Sequence, residues 1–302
     1  MRNMTIPIIV VSILLLLVLG ELLIRRRAEA PVGSWPTRPL PALDPQATRI
    51  VVLADSIAFG EGLPQEQAWP EVLEARLQRS YPDRIWQVVN AGVPGNTVAD
   101  AYARFDAHVR AFRPHLLLIA LGINDCFGGQ NELTNRRLAQ FAANEQSGWG
   151  RLYLLRALRA RLRPLAIRRP DPSTPEVPPE AFQSVLAWLV RQGQKEGAVV
   201  ALLTMTPVDP SRLGDAGDNI VRWKEYSTLV RDTARSLGVP FIEVGHKLPG
   251  DNPWQADGVH LTAAGEAAIA NRVWQALHRP GLAPTLRLHG GDSNAEMAPS
   301  LD

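Results

Sequence analysis

The sequence predicts a three-layer α/β domain built on a five-stranded parallel sheet. Five apolar, strand-like runs recur along the chain, at residues 50–54, 85–90, 115–121, 198–205 and 240–244. Helical periodicity follows each run, near residues 67–80, 97–112, 179–196, 219–238 and 262–279. Because β–α crossovers are right-handed, these repeats place helices on both faces of the sheet, and a doubly wound topology is the simplest solution.

The composition is that of a globular protein. The chain has 302 residues, of which 46% are hydrophobic and 21% charged, enough for a core of ordinary size. A net charge of +2 gives no indication of a nucleic-acid-binding surface. The single cysteine, Cys126, excludes an internal disulfide. Neither CxxC pairs nor closely spaced histidines occur, so we expect no metal and no organic cofactor.

The N-terminal residues 1–25 carry an apolar run. Residues 5–24 contain one charge and are long enough to cross a hydrocarbon core as a helix, which predicts a membrane anchor. Cleavage as a signal peptide is the competing interpretation, because Ala28-Glu29-Ala30 resembles a cleavage site. Three arginines separate that site from the run and favour retention. The same arginines favour a cytoplasmic location for the main domain, because basic residues beside a membrane helix tend to lie on the cytoplasmic side.

Two flanking segments bound the predicted domain at residues 49–279. Residues 26–48 are proline-rich and are interpreted as a linker. Residues 280–302 are interpreted as a disordered tail. The tail contains the tripeptide Gly291-Asp292-Ser293, but no apolar strand precedes it, so we discount it as a site.

An inserted segment at residues 126–178 is too long for an ordinary strand-to-helix connection. Residues 151–169 within it have leucines along one helical face and seven arginines around it. Such a basic amphipathic helix either lies on an anionic membrane or packs its leucine face on its own domain. Residues 170–179 then form a loop.

The candidate nucleophile follows the first strand. In the stretch RIVVLADSIAFG, residues 49–60, an apolar run stops at Asp55 and Ser56. Ser56 therefore lies at the carboxyl edge of the sheet, where open α/β domains bind ligands. Alone, an Asp-Ser pair more often caps a helix or opens a turn.

Two further loops lie at the same edge. Residues 90–97, NAGVPGNT, form a tight turn whose Gly95 N–H is available to an anion, and Thr97 with Asp100 predicts a capping box. After the third strand, Asn124 offers a carboxamide donor. Asp125 beside it is expected to hold its turn by local hydrogen bonds.

The tetrapeptide Asp257-Gly258-Val259-His260 precedes the last helix, which Thr262 is expected to cap. A serine nucleophile needs a base, and the base needs an acceptor on its other ring nitrogen. His260 and Asp257 supply these two groups. With oxyanion donors from Ser56 N–H, Gly95 N–H and Asn124, the set meets every requirement of acyl transfer.

At these residues the chain resembles the SGNH hydrolases, the GDSL family of esterases and lipases, over about residues 49–277. The matching blocks hold Ser56, Gly95, Asn124 and His260, with Asp257 completing the triad. The sequences at residues 68–70 and 262–265 resemble the bacterial thioesterase and arylesterase branch. The resemblance implies a flavodoxin-like sheet order and a catalytic triad of Ser56, Asp257 and His260.

The chain departs from the family pattern at two places. Ala54 stands where the family usually has glycine, and a methyl group there is expected to crowd the turn. The segment at 126–178 leaves the acyl pocket undefined. Cys126 is interpreted as a core residue rather than a thiol nucleophile. Trp69 and Trp254 are interpreted as core residues in preference to residues that line the substrate cleft.

The main hypothesis is a membrane-anchored serine ester hydrolase that forms an acyl-enzyme on Ser56 and acts on a small ester or an acylated glycan. A second hypothesis is acyl transfer to a sugar or lipid, or removal of acetyl groups from an envelope polysaccharide. A third is a non-catalytic binding protein, for which Ala54 is the one supporting feature. The family resemblance favours an extracytoplasmic, periplasmic location for the domain, whereas the arginines beside the apolar run favour the cytoplasm. We expect the periplasmic location.

Overall fold

The computed structural model describes residues 35–129, 131–145, 174–213 and 216–279, together with Leu282 and Leu286. The predicted membrane helix at residues 5–24 and the basic helix at 151–169 lie outside these ranges. Within the described ranges, no helix is both long enough and apolar enough to cross a bilayer.

Five parallel strands form one sheet in the order β2-β1-β3-β4-β5. The first strand lies between β2 and β3 and is buried along most of its length, as its run of β-branched residues predicts. This is the flavodoxin-like order, and the predicted fold class is confirmed. The bounds are β1 Thr48–Ala54, β2 Trp86–Gly92, β3 Leu116–Ala120, β4 Val199–Leu203 and β5 Phe241–Ile242.

Five long helices follow the strands at the predicted places, and three more occur where the sequence analysis expected loops or left the structure open. The one-turn helices α1 and α4 directly follow β1 and β3, and α5 lies in the inserted segment. The bounds are α1 Ser56–Phe59, α2 Trp69–Ser80, α3 Val98–His108, α4 Ile123–Cys126, α5 Glu132–Glu145, α6 Pro179–Lys195, α7 Ala216–Leu237 and α8 Ala263–Leu277.

The helices cover both faces of the sheet, as the alternation of buried residues along β1 requires. Val51 and Leu53 face a core shared with α3, α6 and α7. Ile50, Val52 and Ala54 face a second core shared with α2 and α8. The carboxyl ends of β1, β2 and β3 therefore meet at one edge, between the two helical layers.

The capping predictions are confirmed. Thr97 and Asp100 form the reciprocal capping box at the start of α3, and the Thr262 hydroxyl accepts from Gly265 N–H at the start of α8. Both helices begin immediately after a loop that carries predicted site residues. The caps therefore fix where these loops end.

The flanks of the domain are less detached than the sequence suggests. Residues 35–47 of the predicted linker lie against the domain, where Ala47 is buried and Leu40 packs on the core. In the predicted tail, Leu282 and Leu286 are described, and both are buried. The remainder of both segments lies outside the described residues.

Candidate active site

Ser56 is the first residue of α1, directly beyond the carboxyl end of β1. The Asp55 side chain caps this helix by accepting from Ile57 N–H at 3.0 Å. Gly60 ends the helix in the left-handed conformation, with φ of 70°. One strand, one cap and one helical turn thus hold the serine at the edge of the sheet, where its side chain is almost buried.

Residues 55–60 are called the nucleophile turn, after the candidate nucleophile Ser56. This turn lies against the end of β2, and Gly92 permits that approach. A Cβ at Gly92 would lie 2.5 Å from Phe59 N and 2.9 Å from Asp55 O. Any larger residue at this position would push the α1 turn away from the strand. Gly92 therefore sets the distance between the serine turn and the loop that follows β2.

The histidine loop is organised by the Asp257 carboxylate. Its Oδ1 accepts from the N–H groups of Val259 and His260, each at 2.9 Å. Gly258 has φ of 72°, and a Cβ there would meet Arg212 Cβ at 2.7 Å. The sequence Asp-Gly-x-His thus folds into a turn in which the aspartate fixes the backbone of the histidine.

The structure brings Ser56, His260 and Asp257 into one hydrogen-bonded chain. His260 Nδ1 lies 2.6 Å from Asp257 Oδ2, and His260 Nε2 lies 2.9 Å from Ser56 Oγ. Because an ionised carboxylate only accepts, Nδ1 carries the proton and Nε2 is left to accept from the serine hydroxyl. This is the arrangement in which a histidine can remove the serine proton.

The electrostatics of the pair favour an ionised Asp257. Burial raises the pKa of this carboxyl, but hydrogen bonds from the His260 ring and from two backbone N–H groups outweigh burial and lower the pKa below its usual value. About half of the Asp257 side chain and a quarter of the His260 side chain are exposed. The pair is therefore open to solvent on one side.

The other two predicted residues lie on the adjacent loops. Gly95 is in the turn between β2 and α3, with φ of 73°. Asn124 is in α4, and its Nδ2 donates to Asn96 O at 3.0 Å. The bond ties the loop after β3 to the loop after β2, so Gly95 and Asn124 share one rigid edge.

The Asp125 side chain makes a long-range hydrogen bond that the sequence analysis did not predict. Its Oδ1 accepts from Val98 N–H at 2.9 Å, which lies 27 residues away at the start of α3. The carboxyl therefore also bonds beyond its own turn, because the fold brings the first turn of α3 against α4. Cys126 beside it is fully buried, and burial raises the pKa of its thiol well above the usual value, which agrees with core packing.

Trp69 and Trp254 both pack on the core. Trp69 is buried, and Trp254 is half-buried against the same cluster, with its Nε1 donating to Pro207 O. Ala54, the departure from the family pattern, is fully buried at the end of β1. Since the Ser56–His260 hydrogen bond forms with alanine in place, the extra methyl group does not prevent the geometry of the site.

Sequence reasoning missed Arg104, a buried arginine behind the site. Its guanidinium donates to Ala54 O and Ala91 O, each at 2.7 Å, and to Asn96 Oδ1 at 2.6 Å. It thereby joins the ends of β1 and β2 to the loop between β2 and α3. The signal was an arginine on the apolar face of α3, one helical turn after Ala101. Burial lowers the pKa of this guanidinium to about 9 although Asp55 opposes the shift.

Three buried carboxyls surround the nucleophile turn. Burial raises the pKa of Asp55 to about 7 and raises the pKa values of Asp125 and Glu266 well above the usual range. Glu266 accepts from Trp69 N–H at 2.8 Å. In the described part of the chain, Asp125 Oδ2 has no hydrogen-bond partner. These groups remain protonated at pH values at which the unfolded chain has released its protons.

We therefore expect the free energy of unfolding to fall as the pH rises from about 4 to above 7. In this range the three carboxyls bind more protons in the folded state than in the unfolded state, so they favour unfolding as the pH rises. Burial lowers the pKa of His108 to about 4, and this group opposes them below about pH 6.5. The shift of Asp55 from 3.8 to about 7 corresponds to roughly 4 kcal/mol. Asp55→Asn keeps the acceptor for Ile57 N–H and removes the titrating group. Urea unfolding between pH 5 and pH 8 should show a shallower pH dependence in this variant; an unchanged slope would contradict the assignment.

A small cavity of about 20 Å³ lies behind the nucleophile turn. Asp55, Ile57, Trp69 and Met205 are among the residues that line it. This volume suits about one water molecule and is too small for an acyl chain. Within residues 35–129, 131–145, 174–213 and 216–279, no three His, Cys, Asp or Glu side chains are grouped as a metal ion would need.

Comparison with known proteins gives consistent matches across the domain. The GDSL-like lipase/acylhydrolase family matches residues 55–268, more than half of the chain. Esterase TesA of Pseudomonas aeruginosa is 33% identical over 233 residues, which is 76% of this chain and 88% of that protein. An acetylxylan esterase of Geobacillus stearothermophilus is 47% identical over 49 residues, 16% of this chain and 22% of that protein.

The fold is shared with solved structures at lower identity. A crystal structure of an acetylxylan esterase from Geobacillus stearothermophilus has a TM-score of 0.53 at 19% identity, covering 78% of this chain and 97% of that chain. This likeness shows the fold, and the family match shows the lineage. The chain therefore belongs to the GDSL-like lipase/acylhydrolase family and is a serine ester hydrolase.

Proposed function

We propose that the chain hydrolyses carboxylic esters through an acyl-enzyme on Ser56, with His260 as general base and Asp257 orienting it. The observation that carries the proposal is the continuous hydrogen-bonded chain from Ser56 Oγ through the His260 ring to the Asp257 carboxylate. A serine hydroxyl is a weak nucleophile until a base accepts its proton. In this site the base is already within hydrogen-bond distance.

Acylation begins when Ser56 Oγ attacks the ester carbonyl carbon and its proton passes to His260 Nε2. The imidazolium that forms is stabilised by Asp257, which remains ionised. The imidazolium then gives the proton to the leaving alcohol as the ester C–O bond breaks. In deacylation a water molecule loses its proton to His260 and attacks the acyl carbon, and the acid leaves as Ser56 recovers its proton.

The tetrahedral intermediate of each step carries negative charge on the former carbonyl oxygen. We assign its stabilisation to the N–H groups of Ser56 and Gly95 and to Asn124 Nδ2. The Asn124 carboxamide also donates to Asn96 O. Its second N–H remains available to an oxyanion without breaking that bond.

Asn124→Ala is expected to lower kcat by about 10²- to 10³-fold with little change in KM, because the lost hydrogen bond is strongest in the transition state. Steady-state hydrolysis of an aryl ester measures both constants. Asn219→Ala, which replaces an asparagine on α7 that pairs with Arg222, is the matched control. A loss below threefold for Asn124→Ala would remove this residue from the oxyanion hole.

The acyl-enzyme is tested by measuring how its acyl group divides between water and added methanol. Aryl esters of one acid with different leaving groups should give one common ratio of acid to methyl ester when methanol is added, because all pass through the same intermediate. A burst of phenol release is also expected wherever deacylation is the slower step. A product ratio that varies with the leaving group would contradict a common acyl-enzyme.

Removal of acetyl groups from a polysaccharide is a second candidate. The local similarity to an acetylxylan esterase and the solvent-open side of the Asp257–His260 pair favour it. Release of acetate from an acetylated glycan, compared with release from an aryl acetate, tests this candidate. If an added alcohol or sugar always captures the acyl group in preference to water, the enzyme is a transferase; if water always wins, transfer is excluded.

The membrane anchor and the location of the domain are parts of the same proposal. The apolar residues 5–24 support retention in a membrane, and the exported members of the resembled family support a periplasmic domain. Protease treatment of intact cells, spheroplasts and broken cells tests the location. Digestion in spheroplasts supports a periplasmic domain, whereas protection until the cells are broken would place it in the cytoplasm.

A further inference from the structure

The segment at residues 35–47 is docked on the domain, although its proline content predicts a linker. The Gln87 side chain holds it by donating to Ala42 O at 2.6 Å and accepting from Asp44 N–H at 3.4 Å. Nearer its start, the Trp35 ring lies 4.7 Å from the Arg137 guanidinium carbon. The segment therefore lies along the domain from α5 to the β2 edge.

Arg38 in this segment binds the turn that ends the nucleophile helix. Its Nε donates to Phe59 O at 3.1 Å, and its Nη2 donates to Gly60 O at 3.2 Å and to Leu63 O at 2.8 Å. The guanidinium carbon also lies 4.3 Å from the centre of the Phe59 ring. One side chain thus satisfies three carbonyl groups within residues 59–63.

The same turn is held from the other side by the histidine loop. Gln255 Nε2 donates to Glu61 O at 2.7 Å and to Leu261 O at 2.8 Å. Gln255 N–H donates to His260 O at 2.8 Å. Residues 60–63 therefore form the direct link between the helix that begins at Ser56 and the loop that carries His260.

We propose that Arg38 is a positioning residue for the reaction, which sets the Ser56–His260 geometry by fixing the turn at residues 60–63. The inference rests on the proposed function, because it concerns the same nucleophile and base. Arg38 has no role in the sequence blocks that define the site. Its effect is carried through the backbone carbonyls of the turn.

The physical basis is the weakness of a one-turn helix. Four residues cannot form a stable helix alone, and the last carbonyls of any helix lack partners within it. A cation at the carboxyl end of the helix supplies donors and opposes the helix dipole. Without Arg38, the turn loses one of the two side chains that hold it in the described part of the chain, and Gln255 remains. A displacement of about 1 Å between reacting groups costs about 10²-fold in rate.

Arg38→Met in the full-length protein tests the inference, since methionine keeps much of the apolar stem and removes every donor. We expect kcat for an aryl ester to fall about tenfold with KM within about twofold, because the change acts on alignment of the serine and histidine. The rate of labelling by a fluorophosphonate should fall in parallel. Arg38→Lys should recover part of both rates, because the ammonium still donates to carbonyl groups.

Arg49→Met is the matched control. Arg49 donates to Phe112 O at 2.9 Å and to Asp44 O at 3.1 Å, so it also anchors the docked segment through carbonyl groups. It lies at the amino end of β1, at the opposite end from Ser56. A similar loss of stability with kcat within twofold of wild type is expected for this variant.

If the wild type is active and Arg38→Met keeps kcat within twofold, the inference is wrong while the proposed function stands. Where Arg38→Met does not fold, Arg38→Gln takes its place, because one amide group cannot reach all three carbonyl groups. Equal losses of kcat in the Arg38 and Arg49 variants would also overturn it, because they would reflect general docking of the segment. A folded wild type that neither hydrolyses esters nor reacts with the phosphonate overturns the proposed function and this inference together.

Discussion

Ser56→Ala is expected to lower kcat/KM for an aryl ester by roughly 10⁴-fold or more, the largest effect of any substitution considered. The hydroxyl is the atom that forms the covalent bond, and nothing else in the hydrogen-bonded chain can replace it. The residual rate should come from the oxyanion donors acting on an attacking water. Initial rates at several substrate concentrations measure the loss.

The same variant should remain folded. Ser56 Oγ bonds to the His260 ring, and in the described part of the chain no backbone carbonyl or N–H group bonds to that hydroxyl. We expect the far-ultraviolet circular dichroism and the urea midpoint to stay near those of the wild type. Activity within tenfold of wild type in a folded Ser56→Ala protein would mean that another residue is the nucleophile.

His260→Ala is expected to be almost as damaging as Ser56→Ala, because a serine without its base has no means to lose its proton. Residues that act as one unit are not additive, so the double variant should be no slower than Ser56→Ala alone. The three variants assayed side by side with one aryl ester test this. His246→Ala is the matched control, since His246 is exposed and pairs with Glu243 on the surface.

Additive losses would contradict the account. If the double variant lost the product of the two single effects, Ser56 and His260 would be acting in separate steps. A third possibility is that His260→Ala retains most of the activity while His246→Ala does not. That result would assign the base to a different histidine and leave the Ser56–His260 bond without a catalytic role.

The strand blocks were predictable because apolar runs of β-branched residues are a local signal. The edge of the sheet followed from the parallel topology, and it placed Ser56, Asn124 and the turn with Gly95 on neighbouring loops. The Asp257–His260 pair was also predictable, since the two residues are three positions apart in one turn. Local spacing and topology together were sufficient for these positions.

The one-turn helices were not predictable in the same way. Residues 56–59 and 123–126 are too short to show helical periodicity, so their conformation depends on caps and on contacts with distant residues. Asp55 caps α1 locally, but Arg38 reaches the end of α1 from outside the predicted domain. Asp125 likewise bonds across 27 residues.

The docked segment at residues 35–47 shows that amino-acid composition does not predict whether a segment binds to its domain. Prolines at residues 36, 39, 41 and 45 indicate an extended linker, but the chain there lies against the domain rather than free of it. Whether it is bound depends on partners such as Gln87, whose side chain matches the exposed backbone groups of the segment.

The measurement that tests the central claim most directly is fluorophosphonate labelling of the full-length protein, followed by mass spectrometry of the intact chain and of its peptides. The account predicts one covalent adduct, on Ser56, that is absent in Ser56→Ala and forms much more slowly in His260→Ala. A folded wild type that takes up no phosphonate, or an adduct that persists in Ser56→Ala, would contradict an activated serine at this position.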